Sequence, residues 1–249
     1  MIDLSLTDFE LFDTGGPRAI AELRSEPAPI SIAVVFDVSG NTDVSQSLPA
    51  AREAVERLVS LLEPDRDQSA IFAFDTRLVA LQAFTTSPAD VIARLDQLRP
   101  VDSTSLCDGV AQAGRELVAR GARRRAVVVV TDGADIGRRL TPADVYGLAS
   151  SIDMPVYVLA VTSPHDHLAK PLHQLAQWTG GALFVAGAPG LASVAAHEIV
   201  TELRHRYLLA FEPSARAGWH PLTILTSDSD LVVLARSGYV ARPRPRNQD

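Results

Sequence analysis

Three short segments of the sequence carry side chains with hard oxygen donors. The first, Asp37-Val-Ser39-Gly-Asn41, follows an apolar run and offers a carboxylate, a hydroxyl and an amide. The other two segments add a hydroxyl from Thr104 and a carboxylate from Asp132. Oxygen donors of these kinds suit Mg²⁺, Mn²⁺ or Ca²⁺ much better than zinc or copper. The residue types therefore point to a site for a hard divalent cation.

The balance of charged and neutral donors indicates what such a site would do. Two carboxylates and three neutral oxygens leave room for water around a six-coordinate ion. A cation with few anionic ligands stays electrophilic and favours a carboxylate from outside. We therefore expect Mg²⁺ (or Mn²⁺ or Ca²⁺) with an open position for an Asp or Glu of a partner protein. No catalytic base or nucleophile accompanies the donors, so the predicted role is non-enzymatic.

The middle of the chain alternates strand and helix patterns. Most predicted strands are apolar throughout, as in strands covered on both faces; they lie at 31–36, 69–74, 78–84, 126–131, 156–161 and 182–185. Amphipathic helix patterns lie at 48–62, 88–98, 105–120, 142–151, 168–179 and 191–203. This alternation predicts an α/β fold with a doubly wound, mostly parallel central sheet and helices on both faces. A tight turn at Asp75-Thr76 predicts one antiparallel edge strand.

The two ends of the chain have strand patterns without helices. Residues 6–12 and 18–23 form a predicted strand pair, and the C-terminal strands are predicted at 207–211, 222–226 and 231–234. They predict a small antiparallel β annex built from both termini. We accordingly divide the chain into annex strands at 1–27, a central domain at 28–204, annex strands at 205–241 and a flexible tail at 242–249.

The predicted sheet would bring the oxygen donors together. In open parallel sheets, ligands bind beyond the carboxyl ends of the strands, where the strand order reverses. Asp37 and Asp132 each follow a predicted strand, and Thr104 precedes a predicted helix. We therefore expect the three segments to converge at the carboxyl edge of the sheet.

This constellation resembles the von Willebrand factor A domain and its metal-ion-dependent adhesion site. The family pattern is Asp-x-Ser-x-Ser, then a Thr, then an Asp after a later strand. Asp37, Ser39, Thr104 and Asp132 match this pattern, whereas Asn41 replaces the second Ser. The resemblance implies an adhesion-type module in which Ser39, Asn41 and Thr104 bind the ion directly. Asp37 and Asp132 would bind it directly or through water.

The flanking segments resemble a bacterial subgroup of this family that is common in Acidobacteria. Residues 5–12, 206–213 and 236–239 carry this likeness. Proteins of the subgroup often begin with a signal peptide and an extra strand, and neither pattern is present here. We expect a cytoplasmic protein if Met1 is the true start, and a secreted or periplasmic one if the N-terminus is truncated.

A metal-free role is the first alternative. Asp, Ser and Asn also close turns and cap helices, so the domain could be a structural interaction scaffold with a degenerate site. Asp102 and Asp108 are possible partners of the ligand side chains, although Asp108 equally fits a local helix cap. Asp75 fits a turn better than a metal site.

Two further motifs are weaker. His165 and His167, with His173 nearby, invite a zinc interpretation, but their spacing is not an established zinc pattern. Cys107 lies near a predicted helix N-terminus, which could lower the pKa of its thiol. Its apolar neighbours instead favour a small buried side chain.

A second alternative is an enzyme, because haloacid-dehalogenase-type phosphatases also begin with an apolar strand that ends in Asp. They need Asp-x-Asp, a later lysine and an acidic pair. Here Ser39 replaces the second Asp, and Lys170 is the only lysine in the chain. The P-loop, dinucleotide-binding and nucleophile-elbow motifs are also missing. The sequence thus disfavours catalysis.

Composition and charge disfavour several other classes of protein. A net charge of −7 disfavours nucleic-acid binding, and a single cysteine excludes an internal disulfide. No apolar run reaches the roughly 20 residues of a membrane helix. The arginines at 123–125 and 138–139 predict solvated surfaces beside strand ends, or a rim for an acidic partner.

Overall fold

The structure is a computed structural model. It describes residues 4–25, 27–37, 44–74, 78–97, 106–121, 123–133, 141–162, 170–187 and 190–241. Several sequence predictions lie outside these ranges: those at Ser39, Asn41, Asp75, Asp102, Thr104, Arg138, Arg139, His165, His167 and residues 242–249.

Twelve strands and six α-helices are present in the described residues. The strands are β1 (Phe9–Asp13), β2 (Gly16–Arg18), β3 (Ile20–Arg24), β4 (Ile30–Asp37), β5 (Gln68–Phe74), β6 (Leu78–Thr85), β7 (Arg124–Thr131), β8 (Val156–Ala160), β9 (Leu183–Val185), β10 (Leu208–Phe211), β11 (Gly218–Thr226) and β12 (Gly238–Ala241). The helices are α1 (Val44–Ser60), α2 (Pro88–Leu95), α3 (Leu106–Val118), α4 (Pro142–Ser151), α5 (Lys170–Thr179) and α6 (Leu191–Arg204).

A six-stranded sheet forms the centre of the fold. Its spatial order is β6-β5-β4-β7-β8-β9, and every pair is parallel except β5–β6. The chain runs outwards from β4 to β6 and then crosses to β7, so the strand order reverses between β4 and β7. The predicted doubly wound sheet with one antiparallel edge strand is confirmed.

Helices cover both faces of this sheet. Ile32, Val34 and Phe36 of β4 pack in one core with α1, α2 and α6, whereas Ala33 and Val35 pack in a second core with α3, α4 and α5. All eight residues of β4 are buried. Burial of both faces explains why the strand is apolar without alternation. Each fully buried Val, Ile or Phe contributes about 1.5–3 kcal/mol.

The amino edge of the sheet is held by charged groups. Asp67 accepts hydrogen bonds from the main chain of Ile30 and Glu63, both at 2.9 Å, and from Arg204 at 2.7 Å. Burial raises the pKa of Asp67, but these three hydrogen bonds outweigh it, so the pKa lies below its usual value. The carboxylate therefore stays ionised and links α6 to the start of β4.

The arginines beside this edge are not solvated, contrary to the sequence prediction. Arg123 donates to Ser31 Oγ at 2.7 Å. Arg124 donates to the carbonyl oxygens of Leu203 at 3.1 Å and Arg206 at 2.6 Å. Both side chains are partly buried because they supply donors to main-chain carbonyls: Arg124 at the end of α6, and Arg123 at Ile30 and Arg66.

Strands from both ends of the chain build the annex, as predicted. One antiparallel sheet has the order β12-β11-β1-β2, and a second pairs β10 with β3. The predicted pairing of residues 6–12 with 18–23 holds only for β2, since β3 leaves the hairpin and pairs with β10. The predicted strand at 231–234 is wrong, because β12 forms the ladder with β11 instead.

Aromatic side chains join the annex to the central domain. Tyr146 of α4 contacts Trp178 of α5, with ring centroids 6.5 Å apart, and Trp219 of β11, at 5.4 Å. The Ser237 N–H donates to the Trp178 carbonyl at 3.1 Å. The backbone at Arg236 also packs against Gly180, where a Cβ would lie 2.6 Å from Arg236 N. The annex is thus attached through the end of α5.

Candidate metal site

The two predicted carboxylate ligands lie at the ends of adjacent strands. Asp37 is the last residue of β4, and Asp132 directly follows β7. The β4–β7 register pairs Asp37 with Thr131. Asp37 is 4% exposed and Asp132 is 6% exposed. The topological switch point therefore places both carboxylates at one edge of the sheet, in a largely buried environment.

A threonine that the sequence interpretation missed links these two strand ends. The Thr131 hydroxyl donates to Asp37 Oδ2 at 3.5 Å and accepts from the Gly133 N–H at 3.0 Å. Its carbonyl accepts from the Val161 N–H at 2.8 Å. Thr131 is fully buried. In the sequence, this threonine is indistinguishable from the other β-branched residues of the strand.

Gly133 turns the chain beyond Asp132. Its φ of 74° lies in the left-handed region, which glycine adopts without the steric penalty of a Cβ. The turn directs the Gly133 N–H back to Thr131. The position of Asp132 thus depends on the glycine that follows it.

Asp108 and Cys107 lie in the first turn of α3. Asp108 is exposed. Burial raises the pKa of Cys107 to about 11, with further contributions from the negative charges of Asp144 and Asp108. A thiol with this pKa is protonated at neutral pH. The structure therefore favours a partly buried apolar role for Cys107 over a reactive thiolate.

The zinc interpretation gains no support from the described residues. Within those residues, no group of three or more His, Cys, Asp or Glu side chains is arranged to hold a metal ion. His173 lies in α5, on the described part of the chain.

Lys170, the only lysine, is exposed at the first position of α5. Among the helices of the described residues, none has the length and apolar character needed to cross a membrane.

The donor chemistry at the carboxyl edge fits a divalent cation. Asp37 and Asp132 supply anionic oxygens at adjacent strand ends, and Thr131 orients Asp37. Hard cations bind such oxygen sets. The five predicted ligands Asp37, Ser39, Asn41, Thr104 and Asp132 stay a prediction, because three of them lie outside the described residues.

Comparison with solved structures identifies the fold. The chain is similar to an aerotolerance-related membrane protein from Bacteroides fragilis, with a TM-score of 0.55, 17% identity, and coverage of 70% of this chain and 98% of that one. It is also similar to a von Willebrand factor type A protein from Catenulispora acidiphila, with a TM-score of 0.57 and 17% identity, over 79% of this chain and 50% of the other.

A third similar structure contains a metal. Proximal thread matrix protein 1 from the mussel byssus, with a zinc-occupied adhesion motif, matches with a TM-score of 0.54 and 17% identity. The match covers 76% of this chain and 49% of that one. At these identities the three likenesses show the fold. No curated protein matches the chain.

The family match agrees with the fold. The sequence profile of the von Willebrand factor type A domain matches residues 32–134, which include both Asp37 and Asp132. The more specific assignment to a bacterial subgroup stays a prediction. The sequence match assigns residues 32–134 to the von Willebrand factor type A domain, and the doubly wound sheet agrees with this assignment.

Proposed function

We propose that this chain is a non-enzymatic, divalent-metal-dependent module that binds a partner protein through an acidic side chain. One observation carries the proposal: Asp37 and Asp132 are both buried at the ends of adjacent strands, at the switch point of the sheet where ligands of such folds bind. The zinc-occupied adhesion motif of the mussel protein supports a metal at the corresponding edge.

The chain's own residues would divide the work between charge and position. Ser39, Asn41 and Thr104 would bind the ion directly, and Asp37 and Asp132 would bind it directly or through water. A bound ion would supply the positive charge that attracts a partner carboxylate. The burial of Asp37 and Asp132 lowers the local dielectric, which strengthens their attraction for a cation.

Calorimetric titration tests the metal step. Mg²⁺, Mn²⁺, Ca²⁺ and Zn²⁺ are titrated separately into chelator-treated protein; zinc is included because the mussel protein holds it. We expect binding of at least one ion, and its loss in Asp37→Ala with the fold retained. Glu56→Ala removes an exposed carboxylate of α1 and serves as the matched control. A wild type that binds none of the four ions would leave the metal-free scaffold as the function.

Peptide selection tests the partner step. Random peptides displayed on phage are selected on the immobilised, metal-loaded protein and eluted with chelator. We expect an Asp or Glu at a fixed position of the enriched peptides, since a carboxylate is the group that an open position on a hard cation favours. Enriched peptides without an acidic residue, or peptides that chelator does not elute, would contradict the proposed recognition.

A further inference from the structure

The antiparallel ladder between β11 and β12 opens into a gap. The register Trp219↔Val240 and Pro221↔Gly238 would place Ile224 opposite Ala235 and Thr226 opposite Val233. The last contact is the hydrogen bond from the Leu222 N–H to the Ser237 carbonyl, at 2.9 Å. Beyond it, the two chain segments separate and enclose a cavity of about 420 Å³.

A contact with the central domain explains why the ladder opens. The Ser237 N–H donates to Trp178 of α5, and the backbone at Ala235 and Arg236 packs against Gly180. Ser237 thus bonds to both β11 and α5, whereas Ala235 and Arg236 lie against α5 and leave the ladder with β11. The gap is therefore a consequence of how the annex is attached, and the attachment keeps the gap open.

One wall of the gap presents unused hydrogen-bonding groups. The Thr14 N–H bonds to Pro221 and the Ser227 N–H bonds to Asp8, at 2.8 and 2.9 Å. Because antiparallel ladders alternate, the main-chain groups of Ile224 and Thr226 point away from β1 and into the gap. Within residues 190–241, the main chain of Ile224 makes no hydrogen bond across the gap.

The opposite wall is an apolar segment without regular secondary structure. Its residues 231–235 alternate between partly buried and exposed side chains, with Val232 87% and Leu234 48% exposed. In the described part of the annex, the main chain of residues 232–235 has no hydrogen-bond partner either. Phe9, Tyr207 and Leu209 also line the cavity, so most of its lining is apolar, although Glu202 and His205 line one part of it. Two unpaired strand-like walls around an apolar interior are the features that strand addition uses.

One end of the gap is acidic. Asp228 and Asp230 are exposed in the turn that joins the two walls, and Ser227 bonds to Asp8 beside them. Hydrogen bonds from Ser5 lower the pKa of Asp8, so it is ionised at neutral pH. Arg206 lines the cavity but donates to the Gly180 carbonyl. The end beside Asp228 and Asp230 therefore attracts a basic group.

We propose that this gap binds an extended, apolar segment of a partner protein that adds a β-strand beside Ile224 and Thr226 and carries a Lys or Arg next to Asp228 and Asp230. A strand satisfies the main-chain groups of Ile224 and Thr226, which an apolar small molecule would leave unpaired. Alternating side chains of the strand would enter the apolar interior and face solvent in turn. The site is separate from the metal site and does not depend on it.

Synthetic peptides test the proposal on the whole chain in chelator. The probe is acetyl-Lys-Val-Thr-Val-Thr-Val-amide, together with the version that carries Lys at the other end. Hydrogen exchange measured by NMR reports on the Ile224 and Thr226 amides. We expect both amides to exchange at least tenfold slower with saturating peptide of one orientation. Unchanged exchange with millimolar concentrations of both peptides would overturn the proposal.

Matched variants separate the two kinds of contact. N-methylation of alternate peptide residues removes main-chain donors and should weaken binding at least tenfold. Asp230→Lys should weaken binding of the Lys peptide about threefold to tenfold, whereas Glu56→Lys on α1 should leave it unchanged. Equal binding of the N-methylated peptide would exclude strand addition. The same amides are also followed without peptide at several protein concentrations. If they exchange more slowly as the concentration rises, a second copy of the chain fills the gap, and the assignment to a partner protein would be overturned.

Discussion

Replacement of Thr131 by valine tests how the two strand ends cooperate in the proposed metal site. Valine has nearly the same shape as threonine but lacks the hydroxyl, so the β4–β7 packing is retained. The change removes the hydrogen bond to Asp37 Oδ2 and the acceptor of the Gly133 N–H. The prediction rests on the proposed metal binding and concerns the orientation of Asp37 and Asp132.

The geometry sets the expected magnitude. Loss of a group that orients a metal ligand typically weakens metal binding 10- to 100-fold. The bond to Asp37 is long, at 3.5 Å, so we expect the lower end, about tenfold or ~1.4 kcal/mol. The Gly133 N–H loses its acceptor, which costs about 1 kcal/mol of folding stability. Metal affinity and stability should therefore both fall, each by a modest amount.

Two measurements and one control variant check this reasoning. Calorimetry gives the metal affinity, and urea unfolding in chelator gives the stability without metal. Thr131→Ser keeps the hydroxyl and should bind metal within about threefold of wild type. Valine and wild type with equal affinity would refute the positioning role, as would a serine variant as weak as the valine variant. A wild type that binds no metal would refute the proposed function instead.

Three further predictions concern stability and reactivity. Asp67→Asn should cost about 2–3 kcal/mol at pH 7, because it removes the buried one of the two carboxylates that pair with Arg204. Since the folded pKa of Asp67 is lowered, this loss should be complete above about pH 4 and should shrink as the pH falls further. Urea unfolding at several pH values measures it. Gly181→Ala should cost about 1–3 kcal/mol of folding stability, because the new Cβ would clash with a carbonyl of β8. Gly147→Ala, where the Cβ meets open space, should instead stabilise α4 by about 0.5–1 kcal/mol. Thermal unfolding compares the two variants. Cys107 should react with iodoacetamide at pH 7.5 at least tenfold slower than free cysteine, because its pKa is about 11. Mass spectrometry follows the reaction. A rate equal to that of free cysteine would contradict the partly buried position of the thiol.

Local sequence patterns predicted the central sheet because its strands are buried on both faces. Residues 31–36 and 126–131 are apolar without alternation, and the structure places them in β4 and β7, the adjacent central strands. The strand-end rule then placed Asp37 and Asp132 at one edge. This inference needed only parallel strands, which helix–strand alternation indicates well.

The role of Thr131 could not be predicted from the local sequence pattern. A threonine within an apolar strand looks like another β-branched residue. Its hydroxyl becomes informative only when the β4–β7 register places it opposite Asp37. Register between strands that are distant in sequence is set by the packed core.

Two wrong predictions have the same origin, one near the C-terminal end of the chain and one at the start of β7. Residues 231–234 have strand character, but Ala235 and Arg236 lie against α5 and leave the ladder with β11. Arg124 is charged, yet its guanidinium is needed by carbonyls at the end of α6. In both cases a contact between distant parts of the chain decided against the local preference.

The annex has a consequence for how the chain is made. Phe9 pairs with Thr226, and Leu23 pairs with Leu209, so the first strands leave the ribosome long before their partners. At the usual 5–20 residues per second, β1 waits roughly 10–40 s for β11. During that time its edges are open to other chains. Translation speed and early shielding of the first strands should therefore influence the yield of folded protein more than the stability of the finished molecule does.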